Sequence, residues 1–165
     1  MPILLKKPFL FMFGSPITII KVQNFNFFRR HNNWVKSVKY GSNTILSGSS
    51  DSSIRLWDIR SGGQIQIFNG HTYNVETVEY SPFIINNIVI NGNSNVIYSG
   101  SNDNTIRFWD IRSNKSELYM IKGDNEKDNG IKCIKFISLK KKKDYNDNCG
   151  NYLYYGSYNG PIHIW

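Results

Sequence analysis

His31, Ser47 and Asp51 fall close together in this 165-residue chain, and His71, Ser99 and Asp103 form a second such trio. A histidine, a hydroxyl and a carboxylate are the parts of an acyl-transfer triad, in which the imidazole takes the hydroxyl proton and the carboxylate orients the ring. An active site of that kind is built once. A trio that recurs with the period of the chain reads instead as a structural device, and no Gly-x-Ser-x-Gly elbow accompanies either serine. The three histidines and two cysteines show no metal-ligand spacing, and no Gly-x-x-x-x-Gly-Lys-Ser/Thr loop is present to cradle phosphate. The expectation is no catalysis, no resident metal and no cofactor.

The elements that must position these residues are repeated with them. The run Ser47 to Ser61 (SGSSDSSIRLWDIRS) returns as Ser99 to Ser113 (SGSNDNTIRFWDIRS), with eleven of fifteen positions identical. Each copy reads as strand, tight turn, strand, because branched and apolar residues flank a cluster of Ser, Asp and Asn. After His31 and His71 comes a six-residue strand, Val35 to Tyr40 and Val75 to Tyr80, and a third copy is Ile131 to Phe136. The stretch from Tyr155 to Trp165 completes a third, eroded unit. A period of a few tens of residues indicates stacked supersecondary units.

These residues resemble the WD-repeat family, whose units are four-stranded blades of a β-propeller. The resemblance implies an all-β fold of antiparallel four-stranded blades, about three and a half of them, as an open array or a ring completed by a partner. The expected division is a partial blade over 1–30, a blade over 31–70, a blade over 71–123 with an insert at 82–95, and a degenerate blade over 124–165 with a Lys/Asn-rich insert at 138–151. Phe13-Gly14-Ser15 and Pro16 to Ile20 would supply strands of the partial blade, and Phe25 to Phe28 its outer strand. The resemblance also implies a buried network in each blade: His31, Ser47, Asp51 and Trp57, then His71, Ser99, Asp103 and Trp109. In the third unit Asp124, Tyr155 and Asn159 stand where His, Ser and Asp would, and only Trp165 remains, so that blade is expected to be the least stable.

Composition sets the remaining bounds. The chain is 40% apolar and 15% aromatic, as globular chains are. Two cysteines make no disulfide framework: Cys133 aligns with Ser37 and Thr77 and reads as a small buried strand residue, while Cys149 sits in a polar insert. No run approaches the ~20 apolar residues a bilayer requires. The lysines and apolar stretch of Met1 to Ile20 lack a small-x-small cleavage site and read as blade strands rather than a leader. The expected compartment is the cytoplasm, or the nucleus if Lys140 to Lys143 act as a targeting signal.

The net charge of +8 raises a rival reading, a nucleic-acid- or phosphoinositide-binding module using Arg29, Arg30 and Lys140 to Lys143. Phe28-Arg29-Arg30-His31 is similar to the Phe-Arg-Arg-Gly signature of phosphoinositide-binding propellers, with His31 in place of the glycine. Aligned strand positions alternate in sign, however: Lys36, Glu76, Lys132. Neighbouring blades then offset charge instead of summing it.

In WD-repeat proteins the face carrying the His and turn-Asp loops is the usual docking surface. Here that face selects Trp34 and Asn74 before the inner strands and Lys36, Glu76 and Lys132 two residues on. It also selects Ser50, Asn102 and Tyr158 before the turn positions. Trp34 is either an exposed anchor for a protein or peptide partner or a ring packed between blades. An open array leaves strand edges that invite pairing with another chain or aggregation. A fragment of a longer propeller, a ring completed by self-association or a partner, and a small strained barrel all remain as readings.

Overall fold

In the computed structural model, the described residues are 10–12, 15–17, 28, 30–41, 43–82, 95–113, 117–124, 126–139 and 150–165. All regular structure among them is β. A short hairpin pairs β1 (Leu10–Met12) with β2 (Ser15–Ile17). Two four-stranded antiparallel sheets follow. The first runs β3 (Val35–Tyr40), β4 (Thr44–Ser49), β5 (Ser53–Asp58), β6 (Gln64–Asn69), and the second β7 (Val75–Tyr80), β8 (Val96–Ser101), β9 (Thr105–Asp110), β10 (Tyr119–Lys122). The third sheet has three strands, β11 (Ile131–Leu139), β12 (Gly150–Ser157) and β13 (Ile162–Ile164). Neighbouring strands in sequence are neighbours in space throughout, so each sheet is a meander and each is a blade.

The turns between second and third strands need a left-handed residue. Ser52 (φ 66°) and Asn104 (φ 63°) supply it in the first two sheets, and Gly160 (φ 103°) in the third. The preceding aspartate makes that strain tolerable. Asp51 Oδ1 accepts from the Ser53 amide at 3.0 Å and the Ser53 hydroxyl at 2.6 Å, closing an Asx turn. Asp103 does the same for Thr105 at 3.0 and 2.6 Å.

All three inner strands carry the same irregularity. The register jumps between Val35 and Ser37, between Val75 and Thr77, and between Ile131 and Cys133. The residues passed over are Lys36, Glu76 and Lys132. A bulge re-aims the side chain it carries, and here it does so at one level of every blade.

The core lies between sheets, as repeat units require. One cluster joins Leu46, Ile54, Leu56 and Phe68 to Val75, Val78, Ile97 and Trp109. A second joins Tyr98, Ile106 and Ile121 to Ile131, Ile134, Leu153 and Tyr155. Each side chain so buried contributes about 1.5–3 kcal/mol. The sheets do not close on each other. Val35 and Val38, 48% and 57% exposed, have the same positions in β3 as the buried Val75 and Val78 have in β7.

Four expectations need correction. The N-terminal hairpin pairs Met12 with Ser15 and Phe11 with Pro16, so Ser15 and Pro16 belong to one and the same strand, while Phe13 and Gly14 lie outside the described residues. Phe28 sits in a turn with φ 69° rather than in a strand, and its ring meets Trp57 edge-on at 5.5 Å, where Phe68 meets Trp109 at a tilt and 5.9 Å. Cys133 is exposed: among the described residues no further sheet covers the face that leaves Ser37 and Thr77 half-buried in the other blades. Trp165 is 64% exposed and does not enter a network of the kind built on Trp57 and Trp109. Phe25 to Phe27, most of the 82–95 insert and the Lys140 to Lys143 run lie outside the described residues.

Candidate functional site

The two trios are hydrogen-bonded relays. Trp57 Nε1 donates to Ser47 Oγ at 2.8 Å, Ser47 Oγ contacts His31 Nε2 at 2.7 Å, and His31 Nδ1 contacts Asp51 Oδ2 at 2.9 Å. The second blade repeats this with Trp109, Ser99, His71 and Asp103 at 3.0, 2.8 and 2.8 Å. The carboxylate can only accept, so Nδ1 presents a proton to it; in the Nδ1–H tautomer Nε2 accepts from the serine, which in turn accepts the indole N–H. A serine held this way is shut off from a substrate by burial. Ser99 is 0% exposed and Ser47 4%. The trios therefore anchor the loop ahead of each inner strand, and Asp51 and Asp103 also accept the amides of Asn32 and Thr72 at 2.9 and 3.0 Å.

Burial pushes the Asp103 carboxyl up. The bonds from His71, Thr105 and Thr72 outweigh that and hold it well below the usual carboxylate range. Asp51 behaves alike, with burial opposed by Ser53, Asn32 and His31.

The third blade is rewired rather than empty. Asp128, 0% exposed, accepts from the Asp124 amide at 2.7 Å and the Tyr155 hydroxyl at 3.3 Å, and lies 2.6 Å from His163 Nε2. The rings of Tyr155 and His163 stack at 4.7 Å. Tyr155 fills the place of Ser47 and Ser99 with a bulk that leaves the indole of Trp165 outside. Asn159, though at the turn position, contributes its backbone amide to the Asp128 carbonyl at 3.3 Å. Sequence alignment missed Asp128 and His163 because counting from the repeat selects Asp124. A buried acid four residues later leaves no periodic trace.

The anchored loops carry two groups of surface residues. On the first blade Trp34 is 75% exposed, with Lys36 Nζ 5.4 Å from its ring centroid. Its ring does not pack between blades. The Trp34 carbonyl accepts the Ser50 amide at 2.8 Å, which ties loop to turn. Asn74 repeats that bond with Asn102 at 3.0 Å. The second group bridges two blades. Asn102 Nδ2 donates to Glu76 at 2.8 Å, and Lys132 Nζ donates to Asn102 Oδ1 at 2.8 Å and sits 3.3 Å from Glu76. Lys132 Nζ also lies 5.1 Å from the centroid of the Tyr158 ring, which is 64% exposed. Contacts of this exposed kind contribute about 0.5–1 kcal/mol each, so they orient the rings more than they stabilise the fold. A second charge row runs below: Glu79 pairs with both Lys39 and Lys135.

Among the described residues no helix is long and apolar enough to cross a membrane, and no cluster of His, Cys, Asp and Glu has metal-site geometry.

Stacked four-stranded blades with bulged inner strands and a Trp–Ser–His–Asp relay define a propeller segment. The family model described as WD domain, G-beta repeat matches residues 22–58 and 62–110, and the chain belongs to the WD-repeat family. It is 28% identical over 136 residues to the DENN domain and WD repeat-containing protein SCD1 of Arabidopsis thaliana, covering 82% of this chain and 9% of that protein. It is 30% identical over 147 residues to the WD repeat-containing protein pop2 of Schizosaccharomyces pombe, covering 82% and 20%. With the guanine nucleotide-binding protein subunit beta of Zea mays it shares 30% identity over 105 residues, covering 62% and 27%. The chain thus spans between 9% and 27% of the length of these three relatives. WD-repeat proteins serve in general as protein-interaction scaffolds and are typically not catalysts.

Proposed function

We propose that this chain is a non-catalytic scaffold that docks a protein or peptide partner on its loop face, with Trp34 and Tyr158 as anchors. The carrying observation is a pair of aromatic rings, 75% and 64% exposed, each held by a lysine, with the Trp34 loop fixed from below by the first-blade relay and the Tyr158 turn lying beside the buried Asp128 cluster. A rigid aromatic surface binds at little ordering cost, because its loops are already fixed before the partner arrives. Lys36, Ser50, Asn74, Glu76, Asn102 and Lys132 form the polar surround. The blades run over 31–70, 71–123 and 124–165 in this reading, with a partial one over 1–30. The scaffold works in the cytoplasm, or in the nucleus if Lys140 to Lys143 direct it there.

Peptide ligands selected from a display library on the purified chain test this directly. Trp34→Ala is expected to weaken the selected ligands at least tenfold, about 1.4 kcal/mol, with the thermal midpoint unchanged. Ligands indifferent to both Trp34→Ala and Tyr158→Ala would place docking elsewhere. The rival basic-module reading predicts affinity that falls steeply with salt, but Glu76 and Glu79 pair with Lys132, Lys39 and Lys135 and so offset part of the described lysine rows.

A further inference from the structure

Charge is distributed unevenly along the chain. Residues 1–50 hold seven lysines and arginines and no aspartate or glutamate, whereas residues 51–165 hold thirteen basic residues against all twelve acids. The net charge of +8 therefore comes almost wholly from the part of the chain that supplies β3 and β4. An asymmetry of this size points to an anionic partner on that side.

Two rows of charge cross the inner strands, and they are satisfied differently. In the lower row Glu79 serves both neighbours, pairing with Lys39 and with Lys135. In the upper row Glu76 pairs with Lys132 and accepts from Asn102 at 2.8 Å, and Lys36 is left over. Lys36 lies at the loop end of β3, where the register slips past it. It is exposed, makes no ion pair among the described residues, and rests with Nζ 5.4 Å from the centroid of the Trp34 ring. Arg30, exposed in the turn just ahead of His31, likewise has no ion-pair partner among the described residues.

We propose, resting on the loop-face reading, that the first-blade side of that face takes an acidic peptide segment in which an apolar residue is flanked by Asp or Glu. The apolar residue covers Trp34, a carboxylate pairs with Lys36, and Arg30 draws further acids to the same side. An exposed cation–π contact is weak enough to be exchanged for a charge-assisted hydrogen bond to a carboxylate, and the ring face so released meets the apolar side chain. Acids elsewhere on the face disfavour a longer polyanion. Glu76 lies beside Lys132, and Glu126, exposed in the loop ahead of β11, makes no ion pair among the described residues. A nucleic acid, charged at every residue, would set phosphates against both. A peptide can place its acids over the first blade and neutral residues over the other two.

Peptides selected from a display library on the purified full chain are the probes. Selection on the unaltered chain is expected to return acids next to an apolar residue, and selection on Lys36→Glu to return lysine or arginine there. The selected acidic peptide should bind Lys36→Glu about tenfold more weakly, with slower association, while both chains melt alike. Its derivative with lysine for the contacting acid should recover that loss on Lys36→Glu. Lys36→Gln adds no repulsion, so it should lose a smaller factor and flatten the salt dependence; it carries the test if Lys36→Glu fails to fold. Selected peptides that weaken with Trp34→Ala but lack acids and ignore both Lys36 variants would overturn the acidic partner and leave the loop-face reading standing. Peptides indifferent to Trp34→Ala, Tyr158→Ala and the Lys36 variants alike would overturn both, as would a library that returns no binder. A mixed-sequence oligonucleotide that binds more tightly than the acidic peptide at physiological salt, and loses this with Lys36→Glu, would put a nucleic acid in the peptide's place and overturn the proposal.

Discussion

Removing the carboxylate of Asp103 should separate the intact relay of the second blade from the rewired third. Asp103→Ala deprives four donors of their acceptor: His71 Nδ1 at 2.8 Å, the Thr72 amide at 3.0 Å, and the Thr105 amide and hydroxyl at 3.0 and 2.6 Å. Each donor left unpaired costs about 1–3 kcal/mol if it is buried. The Thr72 amide is exposed and can recruit water, and the Thr105 hydroxyl can turn to another acceptor. The imidazole cannot turn to water, since the His71 side chain is 0% exposed, and keeps only its longer contact to Thr105 Oγ1 at 3.2 Å. A total near 3 kcal/mol follows, which for a chain of this size is a fall of roughly 6–12 °C in thermal midpoint. Asn159→Ala, at the aligned turn of the third blade, should cost less than about 0.5 kcal/mol, because its side chain is exposed and its contact with Asp128 runs through the backbone. Urea unfolding followed by tryptophan emission reads both. Equal midpoints for the two variants would refute the assignment of the relay.

Asp128→Ala should destabilise the third sheet by about 2–4 kcal/mol by stranding His163 and Tyr155; urea titration checks it, and an effect no larger than that of Asn159→Ala would show that the rewired cluster stabilises little. Acid stability has a definite sign. The folded-state values of Asp51 and Asp103 lie below the ordinary 3.8, so their contribution is present above that value and lost as pH falls through the depressed ones. A chemical-denaturation series from pH 7 to 2 should therefore fall off below about pH 4, and Asp103→Asn should flatten that fall. Gly100→Ala should cost about 1–3 kcal/mol because its Cβ meets Ile131 and Ile134, whereas Gly156→Ala meets only the movable Cys133 thiol and should cost far less. Thermal melts of the two variants decide this.

The duplicated fifteen-residue run made the first two blades legible, since it carries strand, Asx turn and relay together. The positions of the residues proposed for docking were legible for the same reason, being fixed offsets from the repeated histidine and aspartate. The bulges at Lys36, Glu76 and Lys132 left no sign in composition, because a register slip is decided by pairing with β4, β8 and β12. The third blade defeated alignment once Tyr155 replaced a serine: the larger ring moved the acid to Asp128, recruited His163 from a position held by Arg55 and Arg107, and left Trp165 outside. Cys133 was misjudged because burial of a strand residue depends on what covers the sheet. The aligned Ser37 and Thr77 are covered by the next blade.

The account rests on the loop face being the docking surface. Hydrogen–deuterium exchange of the chain with and without a display-selected peptide tests that most directly. Protection should concentrate on Asn33 to Lys36, Tyr73 to Glu76, Asn129 to Lys132 and the turns at Ser50, Asn102 and Tyr158. Protection confined to the outer strands β6 and β10 or to the 138–151 segment, with these loops unchanged, would contradict it.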